Sequence, residues 1–225
     1  MDSTERTPRE RVAFFDVDHT ITRKSTARRY AVHAAKSGFF PFRTLLSIPV
    51  HYLSYRFGNM KTNLFTREFD FLRGISYDDM VRLARETFDL YIKADIYQGA
   101  EALIRRLKEE GQEIVLATSS IEVIIRPLAE YLKVSHTIAS RLEFVNGVST
   151  GRFLEYPNFG EEKKQRVLEF LEKQGISLED SSFYSDSKHD RPLLESAGKA
   201  VAVHPDRTLK RIARQMGWEI INFSE

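Results

Sequence analysis

Val12-Ala13-Phe14-Phe15-Asp16-Val17-Asp18-His19-Thr20 is an apolar run that breaks into two acids placed two residues apart. Four consecutive apolar residues without alternation predict a strand covered on both faces, as in a parallel sheet. The polar residues behind it predict a turn at the strand's C-terminal end. In open α/β sheets ligands bind outside that edge, which places Asp16 and Asp18 at the mouth of a crevice. Taken alone, the stretch reads equally well as a strand end with two solvated acids, Thr20 capping the helix that follows. The rest of the chain has to decide.

Composition narrows the choice. A chain of 225 residues, 42% hydrophobic and 29% charged, suits one large domain or one domain with an insertion. With 34 basic against 32 acidic side chains the formal charge is +2, too balanced to suggest a nucleic-acid partner. The absence of cysteine removes disulfides, thiolate metal sites and a cysteine nucleophile together, leaving oxygen ligands and carboxylate chemistry. Residues 1–11 are polar, without the apolar core of a secretory signal. The uncharged run over 44–55 falls short of the roughly 20 residues that span a bilayer. These features lead us to expect a cytoplasmic protein with no transmembrane segment.

Outward from the first strand, residues 26–37 predict a helix stopped by Gly38. No strand pattern follows before residue 95. Residues 42–56 read as helical but divided by Pro49, and residues 60–73 carry Leu64, Phe65, Phe69 and Leu72 on one face. Ser76-Tyr77-Asp78-Asp79 is an acidic variant of the capping box, ahead of a helix with Met80, Leu83, Ala84, Phe88 and Ile92. From residue 95 onward helix and strand alternate, which predicts a parallel sheet flanked by helices. The strands are 113–117, ending in Thr118-Ser119-Ser120, then 182–185, 199–203 and an edge strand over 218–223. The helices are 98–110, 121–132 with Pro127 bending or dividing it, 161–174, 191–197 and 205–216. Asn146-Gly147 marks a β-hairpin within residues 136–153. The predicted class is therefore α/β: a Rossmann-like parallel sheet in a three-layer α/β/α core, made of residues 1–28 and 95–225 with a small hairpin near 137–153. An all-helical cap over residues 29–94 is inserted after the first strand.

Three strand ends now carry Asp16 with Asp18, Thr118 with Ser119, and Asp186 with Asp190, while Lys163 and Lys164 precede the third. Singly each has a plain reading: a solvated helix face for Glu161-Glu162-Lys163-Lys164, a helix cap for Thr118 and Ser119, loop acids for Asp186 and Asp190. A parallel sheet gathers them at one edge. Four carboxylates there repel, and with no thiolate and no histidine pair the expected neutraliser is a hard cation such as Mg²⁺. A cation, a lysine and a hydroxyl together make a phosphate site.

This set resembles the haloacid dehalogenase superfamily, in particular its phosphoserine-phosphatase-like branch, subfamily IB, with a helical cap. The D-x-D-x-T motif matches Asp16-Val17-Asp18-His19-Thr20. A strand ending in Ser or Thr matches Thr118, a later lysine matches Lys163 with Lys164 as the neighbouring register, and G-D-S-x-x-D matches Ser185-Asp186-Ser187-Lys188-His189-Asp190. The resemblance implies that Asp16 is a nucleophile forming an aspartyl-phosphate and that Asp18 is the general acid and base. It implies Mg²⁺ on Asp16, Asp186 and the backbone carbonyl of Asp18, with Asp190 ordering the metal's waters. Lys163 and Thr118 would hold phosphoryl oxygens, and Ser119 and Arg23 are further phosphate-binding candidates. The implied activity is a Mg²⁺-dependent phosphomonoester hydrolase acting on a small phosphorylated metabolite. Phosphotransfer to an alcohol acceptor, or a phospho-Asp switch without turnover, are the alternatives.

The chain departs from the pattern at three places. Ser185 replaces the usual Gly, and His19 stands where Gly or Ser is common. The stretch Arg23-Lys24-Ser25-Thr26-Ala27-Arg28-Arg29 lacks the acid that phosphoserine phosphatases place there. The aromatic residues Phe39, Phe40, Phe42, Tyr52, Tyr55 and Phe57 are expected in the cap's own core, with a lipid-facing surface flanked by Arg43 and Arg56 as the second reading.

Overall fold

The strand that opens the chain, β1 (Val12–Phe15), is buried at every residue. In this computed structural model, which describes residues 11–39, 70–155 and 157–223, it lies at the centre of a six-stranded sheet. Parallel neighbours flank it, β2 (Glu113–Ile121) on one side and β6 (Ser181–Ser185) on the other. β3 (His136–Ser140) extends the sheet beyond β2, and β7 (Lys199–Val203) and β8 (Glu219–Ile221) extend it beyond β6, all parallel.

Alternation along β1 sends its side chains into two different cores. Ala13 and Phe15 join a cluster with Ile104, Leu116, Ile125 and Leu128, while Val12 and Phe14 join one with Val167, Leu171, Phe183 and Leu209. The first core is closed by α3 (Gln98–Glu109) and α4 (Glu122–Tyr131), the second by α5 (Glu161–Gln174) and α6 (Arg207–Met216). Covering both faces is what a strand without polar alternation requires. Each buried Phe contributes roughly 1.5–3 kcal/mol relative to exposure. Phe15 also stacks on its cross-strand partner Tyr184, ring centroids 4.2 Å apart. Phe15 is in register with Leu116 on one side and Tyr184 on the other, so the residues just beyond them share one sheet edge.

The helical segment returns to this core through a third cluster. Tyr30 and Ala34 of α1 (Thr26–Lys36) pack with Met80, Leu83 and Ala84 of α2 (Tyr77–Thr87) and with Val123 and Ile124. Half of the expected capping box is present: the Asp79 amide donates to Ser76 Oγ at 3.0 Å, while the Asp79 carboxylate accepts from the Ser76 hydroxyl at 2.7 Å. Beyond Thr87 the helix continues through a π-helical turn, Phe88–Ile92. The helix expected over residues 42–56, most of that over 60–73, and the aromatic residues Phe40, Phe42, Tyr52, Tyr55 and Phe57 lie outside the described residues.

Two differences from the sequence expectation have clear causes. His136–Ser140, expected within the hairpin, is a strand of the main sheet, and the hairpin itself is β4 (Leu142–Val145) with β5 (Val148–Phe153). Only Arg141 separates the two roles, so no loop signal marks the change. At the hairpin's turn Asn146 and Gly147 both take positive φ, 51° and 76°, as a two-residue turn of this kind demands. This small sheet stands apart from the main one and bonds instead to the approach to α2: Gly74 N to Ser149 O, Ser149 N to Ile75 O, and Tyr77 N to Gly147 O. The second difference is that β2 runs on to Ile121, its pairing with β3 shifting between Ala117 and Ile121. Helix α4 passes undivided through Pro127. No helix among the described residues is long and apolar enough to cross a membrane.

Candidate active site

Asp16 is the first residue past β1, and its amide still bonds to Tyr184 O at 2.9 Å, which holds its backbone at the sheet edge. The chain then turns tightly: the amides of Thr20, Ile21 and Thr22 all converge on the carbonyl of Val17. His19 takes a positive φ of 65° in this turn, a conformation uncommon outside glycine. The turn presents Asp18 beside Asp16. Asp18 Oδ1 accepts from the Thr26 amide at 2.9 Å and from Thr26 Oγ1 at 2.7 Å, at the start of α1.

Lys163 lies in the first turn of α5 and is buried, its Nζ bonded to Asp16 Oδ1 at 2.8 Å and to both Asp190 oxygens at 3.0 and 2.9 Å. Lys163, Val167 and Leu171 form the helix's buried stripe at a spacing of four, which places Lys163 inward and leaves Lys164 half-buried. Asp190 also accepts from Ser185 Oγ at 2.7 Å, and Ser185 Oγ accepts from the Ser187 amide at 3.1 Å. The serine that stands in place of glycine thus orients an acid. Asp186 is anchored through its backbone: its amide donates to Thr20 Oγ1 at 3.0 Å and its carbonyl accepts from the Asp206 amide at 3.2 Å.

The charges do not balance. Burial, opposed by Lys163 and reinforced by Asp190, pushes the Asp16 carboxyl up to about 7. Burial and the charges of Asp16 and Asp190 push Asp186 up to about 8. Burial works against the Lys163 ammonium, but the two carboxylates around it outweigh burial and raise it above the usual lysine range. The raised acids mark carboxylates withdrawn from water and, secondarily, crowded by one another, with one buried ammonium among them. An all-oxygen donor set of this sign fits a hard cation. Among the described residues no three acidic or imidazole side chains form a ready-made cage. Two carboxylates completed by backbone oxygen and water would be the donors, a set that suits Mg²⁺.

One cavity is lined by Asp16, Asp18, Ser119, Lys163, Asp186 and Asp190, with the exposed His19 beside them. Six of the residues picked from the sequence therefore meet there. Thr118 stands one step back: it is buried, its hydroxyl accepting from the Ser120 amide at 3.1 Å and its carbonyl from Asn158 Nδ2 at 2.8 Å. Arg23 is not among the lining residues; it donates to Ala94 O at 3.3 Å and lies 5.1 Å over the Tyr97 ring. Arg29 is taken up by a two-bond pair with Asp95, at 2.6 and 3.0 Å.

Sequence reasoning missed Asn158. It is fully buried and donates Nδ2 to both Thr118 O and Ile138 O, while its amide donates to Ser140 Oγ, which donates to Ser119 O. These bonds hold β2 and β3 together where their ladder slips. An isolated polar residue next to Pro157 carries no periodic signal that could have revealed this.

A parallel sheet whose strand ends bring two acid pairs and a hydroxyl to one cavity, met there by the lysine of a flanking helix, defines a class of hydrolase. A profile of the haloacid dehalogenase-like hydrolase family matches residues 13–195, and the chain belongs to that family. It is an enzyme of the family's phosphatase kind. It is 30% identical over 216 residues to a phosphoserine phosphatase of Mycobacterium tuberculosis, covering 94% of this chain and 70% of that one. It is 28% identical over 218 residues to a histidinol-phosphatase of Neisseria meningitidis, covering 94% and 98%. Among solved structures, a protein of unknown function from Bordetella pertussis superposes with a TM-score of 0.83 at 28% identity, covering 95% of this chain and 98% of that one.

Proposed function

We propose that this chain is a Mg²⁺-dependent phosphomonoester hydrolase that works through an aspartyl-phosphate on Asp16 and acts on a small phosphorylated metabolite of the cytoplasm. The observation that carries the reading is the burial of Lys163 between Asp16 and Asp190, which come from three separate segments of the chain. A structural ion pair needs no open cavity; this one forms part of the lining of one.

In the first step a carboxylate oxygen of Asp16 bonds to phosphorus as the ester P–O bond breaks, and Asp18 gives its proton to the departing alkoxide. In the second, water bonds to phosphorus, its proton passes to Asp18, and the Asp16–phosphorus bond breaks to release inorganic phosphate. Lys163 sets the direction of the Asp16 carboxylate and offsets part of the charge that would repel an incoming phosphate. Ser119, with Thr118 behind it, would receive phosphoryl oxygens from the end of the neighbouring strand β2. A cation held by Asp16, Asp186 and the Asp18 carbonyl, with Asp190 nearby, would supply the remaining charge compensation. Residues 29–94 would act as the cap over this edge, and residues 1–28 and 95–225 as the catalytic core.

The named relatives point toward phosphates of amino alcohols. The stretch from Arg23 to Arg29 offers no acid for a substrate ammonium, so the panel has to extend beyond phosphoserine. Phosphate release from p-nitrophenyl phosphate, O-phosphoserine, histidinol phosphate and simple alkyl phosphates with Mg²⁺ tests the reading. Turnover of at least one ester, abolished in Asp16→Asn, is the expected result. Activity that survives in Asp16→Asn refutes the nucleophile. New phosphoesters formed when acceptor alcohols are added would reassign the activity to phosphotransfer.

A further inference from the structure

We infer that Thr26 is a positioning residue for the acid and base, dictating through a relay from Ser120 which oxygen of Asp18 handles the proton; this rests on the phosphatase reading above. Thr26 is fully buried and is the first residue of α1, whose cap is the preceding Ser25. Its amide and its hydroxyl both point at Asp18 Oδ1, at 2.9 and 2.7 Å. Thr26 Oγ1 also lies 2.8 Å from Ser120 Oγ.

Donor counting settles the directions. A hydroxyl has one proton, and an ionised carboxylate can only accept. Thr26 Oγ1 therefore donates to Asp18, and it must accept from Ser120. The order is Ser120 to Thr26 to Asp18, with no freedom to reverse it while Asp18 is ionised. Two donors on Oδ1 leave Oδ2 as the oxygen that takes and returns the proton at the cavity. Because Ser120 sits two residues beyond Thr118 on the same strand, the relay also ties the acid to the strand end proposed to hold the phosphoryl group.

Both steps use Asp18, but cleavage of the ester bond is the one that kcat/KM reads and the one that differs between substrates. A basic alkoxide must receive a proton as it leaves, whereas p-nitrophenolate is stable without one. Loss of the relay should penalise the two substrates unequally, and a purely structural defect should penalise them alike. Thr26→Val keeps the shape and removes the hydroxyl; Thr26→Ser restores it. General acid catalysis is typically worth 10²–10⁴-fold, so a misplaced acid should forfeit about tenfold or more of kcat/KM. We expect Thr26→Val to lose about tenfold or more on an alkyl phosphate and less than about threefold on p-nitrophenyl phosphate, with Thr26→Ser close to wild type on both. Ser120→Ala, which removes only the outer donor, should show a smaller loss with the same substrate bias and serves if Thr26→Val fails to fold. Equal losses on both esters, no loss, or a gain on the alkyl phosphate would overturn the inference. A wild-type protein that hydrolyses neither ester overturns the phosphatase reading and this inference with it.

Discussion

Replacing Lys163 with methionine keeps an unbranched side chain in the same space and deletes the ammonium. Three contacts of 2.8–3.0 Å disappear, and Asp16 and Asp190, only 8% and 4% exposed, are left facing each other without a cation. Removing one partner of a buried ion pair costs about 3–5 kcal/mol. For a chain of this size each kcal/mol is worth roughly 2–4 °C, so Tm should fall on the order of 6–20 °C. The sign of the pH dependence follows from Asp16. Its carboxyl already stands at about 7 with Lys163 drawing it down. Without the lysine it rises further, so protonation relieves the repulsion at low pH and ionisation exposes it at high pH. The deficit of Lys163→Met relative to wild type should therefore be larger at pH 8 than at pH 5. Thermal unfolding followed by circular dichroism, with EDTA present so that no divalent cation substitutes for the ammonium, reads it directly. A variant that melts with wild type at pH 8, or whose deficit is larger at pH 5, refutes the assignment of Lys163 as the buried counter-charge.

Two further expectations come from the same site. Asp16 and Asp186 are raised above the usual carboxylate value, so the metal-free fold retains protons that the unfolded chain releases; their contribution to stability should fall as pH rises from about 4 through about 7 and 8. The Tm gain on adding Mg²⁺ should accordingly be larger at pH 8 than at pH 5, and a gain independent of pH would count against a cation on these acids. Asn158→Ala strips the partner from the carbonyls of Thr118 and Ile138. At about 1–3 kcal/mol for each buried carbonyl left bare, urea denaturation should show a loss of roughly 2–6 kcal/mol. A loss under about 1 kcal/mol would mean that those carbonyls find other donors.

The sheet was legible because β1 and the apolar part of β2 carry no polar alternation, and because acids follow β1 and β6 directly while hydroxyls follow the apolar part of β2. Lys163 was legible in kind but not in register: Leu168 stands four residues after Lys164 just as Val167 does after Lys163, and only the packing of the helix turns Lys163, Val167 and Leu171 inward. Thr26, Ser120 and Asn158 were hidden for a common reason. Each acts through a few hydrogen bonds between residues separated in the chain, and such bonds leave no period and no composition bias. Arg23 misled because charge near a phosphate motif suggests phosphate contact, while local packing gave its guanidinium a carbonyl and an aromatic face instead.

The β4–β5 hairpin is covalently continuous with the core, yet it hydrogen-bonds to the approach to α2. At its base the Leu154 amide closes onto Arg141 O at 2.9 Å. Any swing of α2 away from the sheet edge must either break the bonds at Gly74, Ile75 and Tyr77 or carry the hairpin with it. In the second case the pivot lies at Arg141 and Leu154, and the hairpin behaves as an outrigger that limits the arc. A ribbon that contributes no residue to the cavity around Asp16 would then travel with the helical segment.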